Sequence, residues 1–167
     1  MFRTASLSTK LIRIGASLLV VALASISLTL WVTWQLEGGA AAVNEAGRMR
    51  MQTWRLASAV QTSLSPASLG SLVSQFDDSL KLLRTGDPSR PLFVPWDDDV
   101  DVKFAEVDRI WTQRRGQWLA AAPMSATESV MAAEEFVTAI DALVLSIEQQ
   151  LSRLTAILNL FQFVMMA

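Results

Sequence analysis

The fold turns on Val43-Asn44-Glu45-Ala46-Gly47-Arg48-Met49-Arg50-Met51-Gln52-Thr53-Trp54-Arg55-Leu56, a stretch that begins a few residues after a long apolar run ends. Its residues fall on two neighbouring helical stripes. One reads Val43, Gly47, Arg50, Trp54, Ala57 and Gln61; the other reads Ala46, Met49, Thr53, Leu56 and Val60. Two adjacent stripes predict two contact surfaces, one for a core and one for a second copy of the chain. Arg50 lies on the first stripe, one turn after Gly47. A guanidinium brought against apolar surroundings there needs an anion or a carboxylate to meet it.

Upstream, Ile14 to Leu36 (IGASLLVVALASISLTLWVTWQL) holds no charged residue and is long enough, as a helix, to cross about 30 Å of hydrocarbon. It reads as a transmembrane helix. Arg3, Lys10 and Arg13 precede it, which places the N-terminus in the cytoplasm and everything after Leu36 on the other side. Ala40-Ala41-Ala42 offers a cleavage-like site for a signal peptide. The run is longer than a signal core, however, and ends in Trp31 and Trp34, residues suited to a membrane interface, so retention is expected. At the other end, Leu154 to Ala167 is again uncharged and reads as the start of a second span. The expected division is a cytoplasmic 1–13, a membrane helix over 14–36, a periplasmic region over 37–153 and a second membrane helix beginning at 154. The expected location is a bacterial inner membrane, crossed more than once.

Three of the 14 Lys and Arg residues precede the membrane run, whereas all 16 Asp and Glu residues follow it. The region beyond the membrane is therefore acidic, which argues against nucleic acid or anionic lipid as its partner. Cysteine is absent, which removes disulfides and thiolate metal sites. Histidine is absent too, which removes a phospho-accepting histidine, a His-based triad and His-ligated metal. Gly38-Gly39 is too short for a phosphate loop, and Asp97-Asp98-Asp99-Asp101 lacks the spacing of a calcium loop. Glu134-Glu135 and Asp77-Asp78 are adjacent pairs that diverge on a helix. No cofactor and no catalysis are expected within these residues.

Periodicity predicts three further helical segments. The second follows Pro66, runs through Leu69, Leu72, Val73, Phe76, Leu80 and Leu83, and ends at Gly86-Asp87-Pro88. A Pro- and Asp-rich loop covers about 89–99. The third carries Val100, Phe104, Val107, Trp111, Arg114, Trp118 and Ala121 and stops at Pro123. The fourth opens with a capping box, Ser125-Ala126-Thr127-Glu128, and its stripe Val130, Val137, Ile140, Val144, Ile147, Leu151, Leu154 passes unbroken into the terminal run. The expected fold class is all-α: an antiparallel four-helix bundle whose first and last helices continue into transmembrane helices.

Gly47 and Arg50 share one helical face. If two copies pair there, symmetry brings two Arg50 side chains together, and a planar monovalent oxyanion between them relieves their repulsion while accepting hydrogen bonds. Trp54, one turn on, is placed to stack on the guanidinium or to serve as plain packing. The competing reading gives Arg50 a carboxylate partner, with Glu45, Glu134 and Asp141 as candidates. Arg48 and Arg55 are expected in a solvated or ion-paired surface role.

The segment Asn44 to Leu56, with Asn44, Ala46-Gly47, Arg50-Met51-Gln52, Trp54 and Arg55-Leu56, resembles the periplasmic signature of nitrate/nitrite sensor histidine kinases of the NarX/NarQ type. Phe136-Val137-x-x-Ile140-Asp141-x-Leu143-Val144 carries a weaker likeness. A related, PilJ-like sensor domain of methyl-accepting receptors linked to type IV pili shares the Gly-x-x-Arg-Met core. The resemblance implies a homodimeric sensor holding nitrate or nitrite between its two first helices, with Arg50 and the backbone at Gly47 as ligands and Val43, Met51 and Trp54 around them. It further implies cytoplasmic kinase domains, absent here, that address a response regulator. A chemoreceptor-type output and a tethered helical assembly module without a small ligand are the alternatives. Glu45, where several relatives carry lysine, and Arg48, where a small polar residue is usual, alter the local field.

Overall fold

The computed structural model describes residues 7–62, 65–87, 89–120 and 124–166. Among them lie four helices and no strand: α1 (Leu7–Gln61), α2 (Pro66–Thr85), α3 (Asp98–Trp118) and α4 (Ala126–Met166). The first six residues, Arg3 with them, lie outside the described residues, as do Pro88, Ala121, Pro123 and Ala167.

Local chemistry sets the helix ends. Ser65 caps α2 by accepting a hydrogen bond from the Ser68 amide, with Pro66 in the first turn, where its missing N–H is no loss. Gly86 closes the same helix at a φ of 71°, a conformation that favours glycine, and its amide donates to the Leu82 carbonyl at 2.8 Å. Asp97 caps α3 through its Oδ1, which accepts from the Val100 amide at 2.8 Å. Asp98, Asp99 and Asp101 then occupy the first turn, where the helix dipole favours them. The acidic run is therefore a helix start, and α3 begins two residues earlier than its apolar stripe indicates. In α4 the capping box is closed in both directions: Ser125 N–H donates to Glu128 Oε2 at 2.8 Å, and Glu128 N–H donates to Ser125 Oγ at 3.2 Å. The two hydrogen bonds from Ser125 hold the Glu128 carboxyl below its ordinary range.

Cross-helix contacts fix the topology. Ion pairs link Asp77 to Arg115 and Arg84 to Asp101, so α2 and α3 run in opposite directions. Arg114 with Glu135 and Asp97 with Arg153 give the same result for α3 and α4. Arg50 faces Asp141 while Gly39 faces Leu151, which makes α1 and α4 antiparallel as well. Each helix packs on its neighbours in sequence, α1 also closes against α4, and that last pairing is the most extensive. The result is an up-down-up-down arrangement of four helices round one core.

The core takes the second stripe of α1 in full: Ala46, Met49, Thr53, Leu56 and Val60 are buried. It adds Val73, Phe76, Leu80 and Leu83 from α2, Val100, Phe104, Val107, Ile110, Trp111 and Trp118 from α3, and Ala133, Phe136, Ile140, Leu143 and Ile147 from α4. Two details differ from the periodicity. In α4 the inward positions include Ala132, Ala133, Phe136 and Leu143, while Val130 and Val137 sit at its edge. In α3, Arg114 leaves the core to pair with Glu135.

The loop before α3 packs on the bundle over Leu92 to Pro95, while Ser89, Arg90 and Pro91 are exposed. Leu92 and Val94 are buried, the Phe93 ring lies 4.2 Å from Trp34, and the Phe93 amide donates to the Gly38 carbonyl at 3.4 Å. Gly38 and Gly39 are thus sites of close packing: a Cβ on Gly38 meets the Phe93 ring, and one on Gly39 meets the Leu151 side chain.

Because residue 39 of α1 neighbours residue 151 of α4, the apolar part of α1 before it and the uncharged end of α4 after it leave the bundle at the same end. Both are exposed: Leu11, Leu18, Leu19, Val20 and Leu23 on α1, Ile157, Leu160, Phe163 and Val164 on α4. Among the described residues, α1 is the helix long and apolar enough to cross a membrane, and none of its most apolar window is buried.

The seam between α2 and α3 is the thinnest of the pairings between helices adjacent in sequence and adds polar ties to the Phe76–Trp111 stack. Asp77 receives the Arg115 guanidinium at 2.7 Å and the Trp111 indole N–H at 2.7 Å. Hydrogen bonds from Arg115 hold the Asp77 carboxyl below its ordinary 3.8, partial desolvation opposes this, and the Trp111 hydrogen bond adds to the lowering. Such a carboxylate stabilises the fold fully above its unfolded pKa and loses that effect as pH falls through the lowered folded value. Between about pH 5 and about pH 3, thermal melting of the parent should therefore fall more steeply than that of Asp77→Asn. Parallel slopes for the two proteins would show that Asp77 is not part of the acid response.

Candidate functional site

The first stripe of α1 does not enter the core as a unit. Val43 is half-buried against it and Ala57 is buried, whereas Gly47 and Arg50 lie at the bundle edge, Trp54 is 44% exposed and Gln61 is exposed. Met51 is 55% exposed. The structure thus brings Gly47, Arg50, Met51 and Trp54 to one accessible side of α1, with Val43 turned toward the interior. Two exposed apolar side chains, Met51 and Trp54, share this side of α1 with a guanidinium.

Arg50 has a carboxylate. Its Nη1 donates to Asp141 Oδ1 on α4 at 2.8 Å, with both side chains about half exposed. Of the three acids that sequence offered, Asp141 is the one in contact. Glu134 is exposed two turns before Asp141 along α4, and Glu45 is buried, paired with Arg48. An exposed pair of this kind contributes about 0.2–1 kcal/mol, so an ion of the right shape can compete for the guanidinium.

The other arm of Arg50 is placed differently. Its Nη2 lies 3.6 Å from where a Cβ on Gly47 would stand, so the guanidinium folds back along the helix over the bare backbone of Gly47. Among the described residues that nitrogen makes no hydrogen bond. The outcome is a shallow notch with a charged N–H donor on one side, a glycine backbone at its floor and Met51 and Trp54 nearby.

Arg48 is more than a surface charge. It bridges Glu45 and the Ser79 hydroxyl on α2, and Ser79 in turn donates to Gln52 Oε1 at 3.4 Å. Glu45, Gln52 and Ser79 are all buried. This polar layer ties α1 to α2 on the flank of α1 away from the notch, and the adjacency of Glu45 and Arg48 at i,i+3 was its only trace in sequence. No acidic or other cluster suited to a metal ion occurs among the described residues.

The described residues form a long helix, apolar in its first half, that leads into an all-helical bundle. Residues 31–136, more than half of the chain, match the family PilJ, described as the type IV pili methyl-accepting chemotaxis transducer N-terminal region, and the chain belongs to that family. The matched residues run from Trp31 in α1 through the Arg50 notch to Phe136 in α4. A search of curated proteins found no match to the chain. Membership makes the bundle a sensor input domain of the chemotaxis-transducer type.

Proposed function

We propose that the chain senses a small monovalent oxyanion, nitrate or nitrite, at the Gly47–Arg50 notch, in a homodimer that pairs through the outer face of α1. The supporting observation is the divided guanidinium: one arm on Asp141 and the other over the Gly47 backbone, beside exposed Met51 and Trp54. An anion there accepts from Nη2 and draws Arg50 away from Asp141, loosening the α1–α4 tie. Pairing of two copies covers Met51 and Trp54 and places two such notches face to face. The bundle, 37–153, stands in the periplasm of a bacterial inner membrane, on a first crossing over 14–36 and a second that begins at 154. The shift in α4 relative to α1 is the signal that passes inward.

For the output, the family match speaks for a methyl-accepting transducer feeding a chemotaxis array; a histidine kinase acting on a response regulator is the second arrangement for the same input domain. Sequence beyond Ala167 distinguishes them, as a long heptad hairpin or as a phospho-accepting histidine followed by a nucleotide-binding domain.

Calorimetry with nitrate on the detergent-solubilised chain tests the site. The parent should bind, Arg50→Ala should give no heat, and Asp141→Ala should bind up to about fivefold more tightly, because the competing carboxylate is gone. Gly47→Ala should weaken binding without loss of stability, since its Cβ meets Arg50 only at ordinary contact distance. Equal binding by Arg50→Ala and the parent would end the assignment. The Arg50–Asp141 ion pair also favours a second reading, a tethered scaffold in which that pair only clamps α1 to α4. It predicts no nitrate heat from any variant and a matching loss of melting temperature in Arg50→Ala and Asp141→Ala.

A further inference from the structure

At the apolar end of the bundle lies a second opening, a cavity of about 490 Å³ remote from the Arg50 notch. Its walls come from the last turns of the uncharged α1 run (Trp31, Trp34, Gln35), from Arg84 on α2 and from Gln150 on α4, and the loop residues Phe93 to Trp96 complete them. The membrane placement proposed above, on which this inference rests, sets these residues at headgroup depth: Gln35 is the penultimate residue of the uncharged run in α1, and Gln150 lies four residues before the one in α4.

Three features state what the cavity accepts. The Gln35 Oε1 is closed to solvent and has no hydrogen-bond partner, while Gln35 itself is only partly buried in the cavity wall, so a turn of its amide toward the cavity gives that oxygen the N–H or O–H donor it lacks. Trp31 and Trp34 are 47% and 52% exposed beside it, offering indole faces to a cation or to methylene groups. Arg84 stacks over Trp96 at 5.0 Å, and its charge is already matched by Asp101 at 2.9 Å through Nη1. Among the described residues its other N–H groups make no hydrogen bond, leaving donors for a phosphate without leaving net positive charge. Glu37, exposed on the adjoining surface formed with Trp34 and Phe93, adds negative field. A zwitterion with a donating ammonium fits this set better than an anionic group does.

We propose that this cavity holds the headgroup of a phosphoethanolamine-type membrane lipid, its ammonium N–H donating to Gln35 Oε1 against the Trp31 and Trp34 faces and its phosphate accepting from Arg84. The lipid anchors the Gly86–Asp97 loop to the bilayer surface and fixes the height of the bundle above it. Trimethylated headgroups keep the charge and lose the N–H, which isolates the part played by Gln35.

Native mass spectrometry of the full 167-residue chain in detergent tests this, with titrations of phosphatidylethanolamine, phosphatidylcholine and phosphatidylglycerol of identical acyl chains. The ethanolamine lipid should bind about tenfold more tightly than the choline lipid, the ratio that one charge-assisted hydrogen bond supports, and more tightly than the glycerol lipid, whose net negative charge finds Arg84 already matched by Asp101. Gln35→Leu should keep its melting temperature and lose the ethanolamine-over-choline preference. No such preference in the parent, or an undiminished one in Gln35→Leu, overturns the proposal. Soluble phosphoethanolamine binding as tightly as the lipid overturns the lipid as its source. Liposome flotation separates the two ideas: a chain that fails to insert ends the membrane placement, whereas one that inserts and shows no headgroup preference ends only the lipid site.

Discussion

Phe76→Ala is expected to cost the bundle about 3–5 kcal/mol, seen as a fall in melting temperature of roughly 10–15 °C in detergent. Phe76 is fully buried on α2, stacked 4.0 Å from Trp111 of α3 and edge-on at 5.0 Å to Phe136 of α4. Trp111 and Phe136 also contact each other, at 5.8 Å, so the three rings join three helices at one point. The upper part of the range is expected because the hole cannot easily close. Trp111 is held by its indole hydrogen bond to Asp77, and Asp77 by Arg115, so the ring cannot swing into the space without breaking a polar tie. The α2–α3 seam has little else to rely on. Phe76→Leu, which keeps most of the volume, should cost about 1.5 kcal/mol or less. A loss under about 1 kcal/mol for the alanine variant would mean that the cluster is not the joint described.

The aromatic joint was partly legible. Phe76 and Trp111 stood on apolar stripes at helical spacing, and the buried second stripe of α1 followed from the same period, because a 3.6-residue repeat reports the side a helix buries. Phe136 was quoted for its likeness to a family motif and was missed as core, since alanines beside it blur the stripe of α4. The cap at Ser125 was readable because a side chain three residues from its partner acts locally, whereas at α2 Pro66 alone was read and the Ser65 cap before it was not.

What sequence left open is what depends on residues far apart in the chain. Three acids were offered to Arg50, and only the antiparallel register of α1 on α4 selects Asp141. The stretch of about 89–99 read only as a Pro- and Asp-rich loop; Phe93 decides where it packs by meeting Trp34 and Gly38 of α1, more than fifty residues earlier. The unpartnered Gln35 oxygen had no signal at all, because a missing partner is a property of the packed state.

Gly38-Gly39 shows how the same limit hides a mechanical feature, and it leads to the second large effect. Each glycine in a helix interior costs about 1 kcal/mol against alanine, yet α1 carries two in succession where its apolar half meets the bundle. The close approach of Leu151 to Gly39 explains one of them: a Cβ there would overlap the Leu151 side chain, with Cδ1 at 2.7 Å. Gly39→Val is therefore expected to push α4 from α1 across the most extensive pairing in the bundle. The expected loss is about 1–3 kcal/mol, or roughly 3–10 °C in melting temperature, even though valine removes the backbone freedom of glycine. Leu151→Ala in the same chain should return most of that loss, because it vacates the space that the valine branches need. A coupling energy of about 0.5–3 kcal/mol between the two sites is the expected signature. Absence of coupling would show that Leu151 is free to turn aside, since it is only partly buried. If the coupling is found, the contact is the point at which a displacement of α4 along α1 must be accommodated. Gly39→Val alone should then shift the relative position of the two helices at their apolar ends, readable as a change in spin-label distance between residues 30 and 160, with the Arg50–Asp141 pair eleven residues further along α1 left intact.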